Sequence, residues 1–72
     1  MKIVKNNFNN LTIGNVYEVK FSMLQHKPEF IKIVAFINGT CTFYHTDKNG
    51  VTEYGTVLMY VDETNAIYTI SQ

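Results

Sequence analysis

Residues 29–46, EFIKIVAFINGTCTFYHT, decide the fold of this 72-residue chain. Two runs rich in β-branched and aromatic residues flank Asn38-Gly39, a dipeptide typical of two-residue hairpin turns. Such a turn needs positive φ at both central residues, which asparagine and glycine accept more readily than other residues. The stretch therefore predicts an antiparallel hairpin with strands over 29–37 and 40–46.

Three further strands are predicted around the hairpin. Residues 16–23 alternate apolar and polar side chains with a period of two, which is typical of a half-buried strand. Residues 51–61 and 66–70 are also predicted strands, and Gly55 marks a bulge or bend in the first of them. The remaining segments are predicted to be a loop at Asn6–Asn10 and turns at Asp47–Gly50 and Asp62–Asn65.

Five strands joined by short turns predict an all-β fold in one domain, residues 1–72. A closed or nearly closed antiparallel barrel is favoured, because closure removes sheet edges that could pair with other chains. An open antiparallel meander sheet that dimerises is the alternative.

Residues 11–19 read Leu-Thr-Ile-Gly-Asn-Val-Tyr-Glu-Val. This segment resembles the opening of small SH3-like barrel proteins of phages and bacterial mobile elements. Those proteins often begin with a segment of the type Leu-Thr-Val-Gly-Lys-x-Tyr-x-Val, and here Asn15 replaces the usual lysine. The resemblance implies a small five-stranded antiparallel SH3-like barrel and a phage-type inhibitor that occludes a host defence protein. Peptide binding of the eukaryotic SH3 type is not implied, because the chain lacks the acidic loop and has no tryptophan.

Charge and composition argue against several partners. Six basic and six acidic side chains give a net charge of zero without a basic stripe, so nucleic acid is not an expected partner. No segment approaches the roughly 18 apolar residues of a membrane helix, and no signal peptide is recognisable. A single cysteine, Cys41, fits a reducing compartment, so we expect a cytoplasmic protein.

Residues that could carry catalysis are few and badly spaced. Cys41 and His45 share one face of a predicted strand, but four residues of strand separate their Cα atoms by roughly 13 Å. That distance is too long for a thiolate–imidazole pair or for one shared metal. His26 lies in a predicted loop. We therefore predict a buried, inert Cys41, a rim His45, no catalytic residues, no metal, no cofactor and no enzymatic activity.

The second strand has two apolar faces. Ile31, Ile33, Ala35 and Ile37 form one face and are assigned to the core, so Phe30, Val34 and Phe36 need another cover. Phe8 or the loop around Leu24 could supply it within the chain. Otherwise a second subunit must cover this face, and a two-fold dimer is the commonest arrangement.

Tyrosines on later strands extend this apolar surface. They either form an interface or only cover the barrel with their hydroxyls in water. The predicted interface residues are Phe30, Val34, Phe36, Tyr44, Tyr54 and Tyr60. Together they predict a non-enzymatic protein-binding module that forms homo-oligomers. The alternatives are an oligomeric sponge for a small ligand or nucleotide signal, and a structural module of a larger assembly.

Overall fold

The computed structural model describes residues 2–52 and 56–71 and shows an all-β protein with a six-stranded antiparallel sheet. No described residue lies in an α-helix, and so none contributes to a helix suited to crossing a membrane. A 3₁₀ turn, Phe8–Asn10, follows the first strand. The strands are β1 (Lys2–Asn7), β2 (Val16–Lys20), β3 (Glu29–Ile37), β4 (Thr40–Thr46), β5 (Leu58–Asp62) and β6 (Ala66–Ser71).

The strand order is β1-β6-β2-β3-β4-β5. Strands β2 to β5 are neighbours in chain order, whereas β6 returns to pair with β2 and also with β1. The all-β prediction is confirmed, but the sheet is open and a closed SH3-like barrel is not confirmed. The expected count of five strands is wrong, because β1, predicted in part as a loop, adds a sixth by pairing along the whole of β6.

The hairpin that decides the fold has the predicted bounds. Asn38 and Gly39 have φ values of 51° and 75°, as a two-residue turn with two positive φ angles requires. The turn at Asp47 is also confirmed, with the Gly50 N–H donating to Asp47 O at 3.0 Å.

Two predicted strands are too long. The first ends at Lys20 instead of Met23, because the next amide, Phe21 N–H, donates to Gln25 Oε1 at 3.0 Å. The strand predicted over 51–61 begins only at Leu58. The bulge predicted at Gly55 lies outside the described residues.

The core packs against one side of the sheet. Phe8 and Phe21 stack against Phe43, with ring centroids 5.5 and 5.9 Å away. Backbone hydrogen bonds draw the two ends of the sheet together, since Asn9 N–H donates to Glu63 O at 3.0 Å. The buried cluster comprises Phe8, Leu11, Val19, Ile31, Ile33, Cys41, Phe43 and Ile67.

A β-bulge in β3 changes which side chains reach this core. The pairing with β4 shifts between Ile33 and Ala35, which leaves Val34 as the extra residue. Beyond the shift, Phe36 lies opposite Cys41 and packs against the core, whereas Ile37 is 59% exposed. The expectation that Phe36 shares a face with Phe30 and Val34 is therefore wrong. The expectation that Ala35 and Ile37 face the core is also wrong, because both alternate with Phe36 beyond the shift.

Candidate protein-binding surface

The side of β3, β4 and β5 opposite the core carries a set of apolar side chains. Lys32 lies opposite Tyr44, which lies opposite Leu58, so these three residues share a face. The alternation along each strand places further residues on the same side. We call the following set the outer face: Phe30, Lys32, Val34, Ile37, Tyr44, Leu58 and Tyr60.

Much of the outer face is open to water. Val34, Ile37 and Tyr60 are 38%, 59% and 65% exposed, whereas Phe30, Tyr44 and Leu58 are half-buried. An apolar group of this kind on paired strands is typical of an interaction surface.

The predicted interface residues are thus partly brought together. Phe30, Val34, Tyr44 and Tyr60 lie on the outer face. Phe36 packs against the core instead. Tyr54 lies outside the described residues. The sequence prediction missed Ile37, which only the bulge at Val34 turns outward.

A shallow cleft of about 410 Å³ opens in the outer face between Lys32, Val34 and Tyr44. Its far wall is the turn at Gly50, where φ is +82° and a Cβ would lie 2.6 Å from Val16 Cγ2. Only glycine lets this turn approach the sheet so closely. Lys32 makes no ion pair within residues 2–52 and 56–71, and it lines the cleft beside apolar side chains.

A smaller cleft of about 280 Å³ lies at one end of the outer face, beside Phe30 and Thr46. His45 Nδ1 lies 3.5 Å from Glu29 Oε1, and the other oxygen of this carboxylate accepts a 3.0 Å hydrogen bond from Gln25 Nε2. The His45 ring also packs against Phe43. Sequence spacing could not show the Glu29–His45 pair, because it joins diagonal positions on two strands.

Cys41 is a free thiol with no exposed surface, as predicted. Burial, with a smaller contribution from the charge of Glu63, raises its pKa to about 11. The thiolate that nucleophilic chemistry requires is therefore scarce near neutral pH.

Within the described part of the chain, no three histidine, cysteine or acidic residues are placed to hold a metal ion. Comparison with protein-family models, curated proteins and solved structures finds no match. Function is therefore inferred from the chemistry of the outer face.

Proposed function

We propose that this chain is a non-enzymatic protein-binding module whose outer face covers part of a protein partner. The observation that carries the proposal is the exposure of Val34, Ile37 and Tyr60 on strands that pair with one another. Full burial of an aliphatic side chain such as Val34 or Ile37 in an interface contributes about 1.5–3 kcal/mol to binding. A standard interface of about 800 Å² per partner would use roughly one sixth of the 4878 Å² surface.

Charge defines the expected partner more closely. Lys32 is exposed near the centre of the outer face and has no acidic neighbour in an ion pair among the described residues. A partner that buried this ammonium without a counter-charge would lose much of the affinity gained from apolar contact. The partner surface is therefore an apolar one with an Asp or Glu carboxylate facing Lys32.

Occlusion of a host protein, as by a phage-type inhibitor, is the mode of action included in this proposal. The small size of the chain and the resemblance of residues 11–19 to small SH3-like barrels support it. The same resemblance supports a relationship between this fold and the SH3-like barrels. In that comparison β2 to β6 correspond to the five strands of the barrel, and β1 is an additional strand.

Site-specific photo-crosslinking in a lysate of the natural source organism tests this function. A crosslinking amino acid at position 34 or 37 should join the chain to the same protein. The same group at Leu24, which is 88% exposed in the loop between β2 and β3, is the matched control. The captured protein must then bind the purified chain directly. The proposal fails if the Leu24 probe gives the same product, or if the purified pair does not bind.

The cleft beside Lys32 favours one second candidate, a sponge for an anionic aromatic ligand. The Lys32 ammonium could bind a phosphate while the ring stacks on Tyr44. Calorimetric titration with nucleoside monophosphates separates the two functions. A sponge would bind one of them, and Lys32→Met would abolish the heat; a pure protein-binding module would give no heat in either case.

A further inference from the structure

The two edges of the sheet differ in charge. Strand β1 carries Lys2 and Lys5, and lysines on an edge strand discourage pairing with another chain. Strand β5 has no charged residue from Leu58 to Val61. Its side chains are also accessible, since Met59 is 40% and Tyr60 is 65% exposed. Asp62, the last residue of β5, is its one acidic side chain. The apolar stretch Leu58–Val61 is a template for another strand.

The direction of the backbone groups along this edge follows from the hairpin register. Ile37 and Thr40 flank the two-residue turn and therefore form a hydrogen-bonded pair. Hydrogen-bonding direction alternates along a strand, so Cys41 and Phe43 direct their N–H and C=O groups toward β5.

Their partners on β5 are Val61 and Met59, which use their own backbone groups on β4. The N–H and C=O groups of Leu58 and Tyr60 consequently point away from β4. The Asp62 C=O already accepts a 3.0 Å hydrogen bond from Asn65 N–H in the following turn. In the part of the chain that the structure describes, no strand pairs with β5 on that side. Just beyond its end, Glu63 O accepts a hydrogen bond from Asn9 N–H.

We propose that a second copy of this chain pairs with β5 antiparallel to it, about a two-fold axis at Tyr60. In this register Tyr60 lies opposite Tyr60 of the second copy, and their outward backbone groups form the central hydrogen bonds. Met59 lies opposite Val61 of the second copy on the core side of the sheet. The dimer therefore extends the backbone ladder and buries two Met59–Val61 contacts.

The asymmetry of the edges identifies the occupant as a second copy. Pairing of β5 with β5 covers the apolar stretch Leu58–Val61 of both molecules at once, and it places each Asp62 opposite Leu58 rather than opposite another acidic residue. The edges that remain in the joined sheet are the two β1 strands, each carrying Lys2 and Lys5. The dimer does not rest on the proposed function, because it is held by the backbone edge of β5. Leu58 and Tyr60 are the outer-face residues at its seam, whereas Val34 and Ile37 lie on β3 and remain open.

Light scattering and analytical ultracentrifugation of the purified chain test the dimer. At about 100 μM, well above a micromolar dissociation constant, the unmodified protein should have twice the 8.3 kDa chain mass. Met59→Lys places two ammonium groups in the new contact, and Tyr60→Pro removes the central N–H donor. Both should weaken the dimer at least tenfold. Ile3→Lys, an exposed substitution on the β1 edge, should leave it unchanged.

Hydrogen exchange of the unmodified protein gives a readout that needs no variant. The Leu58 and Tyr60 amides should exchange more slowly as concentration rises, whereas β1 amides should not. A monomer at about 100 μM, or a dimer that Ile3→Lys disrupts and Met59→Lys does not, would overturn the proposal. A β5 edge protected only after a different protein is added would show that a foreign strand is the occupant and would also overturn it.

Discussion

Cys41 shows how burial determines the chemistry of a single residue. Its thiol is enclosed by the core cluster, and its pKa is raised from 9.0 to about 11. The folded protein therefore keeps the thiol proton at pH values where the unfolded chain has released it. The unfolded state gains stability from that release, so the free energy of unfolding should fall as pH rises through this window.

The resulting prediction concerns the slope of stability against pH. Between pH 9 and 11 the contribution of Cys41 should decline by at most about 1.4 kcal/mol per pH unit. Urea unfolding at about pH 8 and about pH 10.5 measures it, with Cys41→Ala as the control that lacks the thiol. Equal slopes for the two proteins would show that the thiol ionises equally easily in both states.

Alanine substitutions at Gly50 and Gly39 separate the cost of backbone strain from the cost of steric contact with a neighbouring side chain. Both have positive φ, which costs an alanine about 1–2 kcal/mol, but only Gly50 has a neighbour within reach of a new Cβ. Gly50→Ala should therefore destabilise the protein by about 1 kcal/mol more than Gly39→Ala, because Val16 must move. Thermal or urea unfolding of the two variants measures the difference, and a larger loss at Gly39 would contradict it.

At the scale of elements, the bulge in β3 decides which aromatic side chain is buried. A regular strand over 29–37 would turn Phe36 outward and Ile37 inward, but the shift at Val34 reverses this. In a regular strand, Ile33 would direct its backbone groups to the same side as Ile37, toward β4. Ile33 N–H instead donates to Asn15 O at 3.2 Å, on the opposite side of β3, as the shift requires. The position of the outer face therefore depends on one extra residue.

Alanine substitutions test the bulge. Phe36→Ala should lower the free energy of unfolding by about 2 kcal/mol or more, since it removes packing from the core. Ile37→Ala, at a 59% exposed position, should change it by no more than about 0.5 kcal/mol. The opposite order of effects would mean that β3 is regular and that Phe36 faces solvent.

Local signals explain which elements the sequence could predict. The hairpin at Asn38-Gly39 depends on two adjacent residues, so its turn and strand bounds are predicted correctly. Strand β1, Lys-Ile-Val-Lys-Asn-Asn, has no alternation of its own, and pairs with β6 at the other end of the chain. Val34 resembles any other β-branched strand residue, so the bulge gives no sequence signal either.

At the scale of the whole molecule, one sheet packs on the core with one side and leaves two features accessible, the outer face and the edge at β5. The outer face is a side-chain surface, whereas the β5 edge is a row of backbone groups. The sequence predicted four of the outer-face residues. Phe30, Tyr44 and Tyr60 stand out as aromatic residues in strands, and Val34 falls on the same face of its strand as Phe30. It could not show the exposure of Ile37, nor that β5 is the last strand of the sheet among the described residues, because both depend on strand pairing.

Calorimetric titration of the captured partner with the purified chain tests the central claim most directly. Val34→Glu and Ile37→Glu each place a carboxylate on the outer face, and each should weaken binding at least tenfold, or about 1.4 kcal/mol. Leu24→Glu, at an 88% exposed loop position, should leave the affinity unchanged. Unchanged affinity for both outer-face variants, or an equal loss with Leu24→Glu, would show that the outer face is not the binding surface.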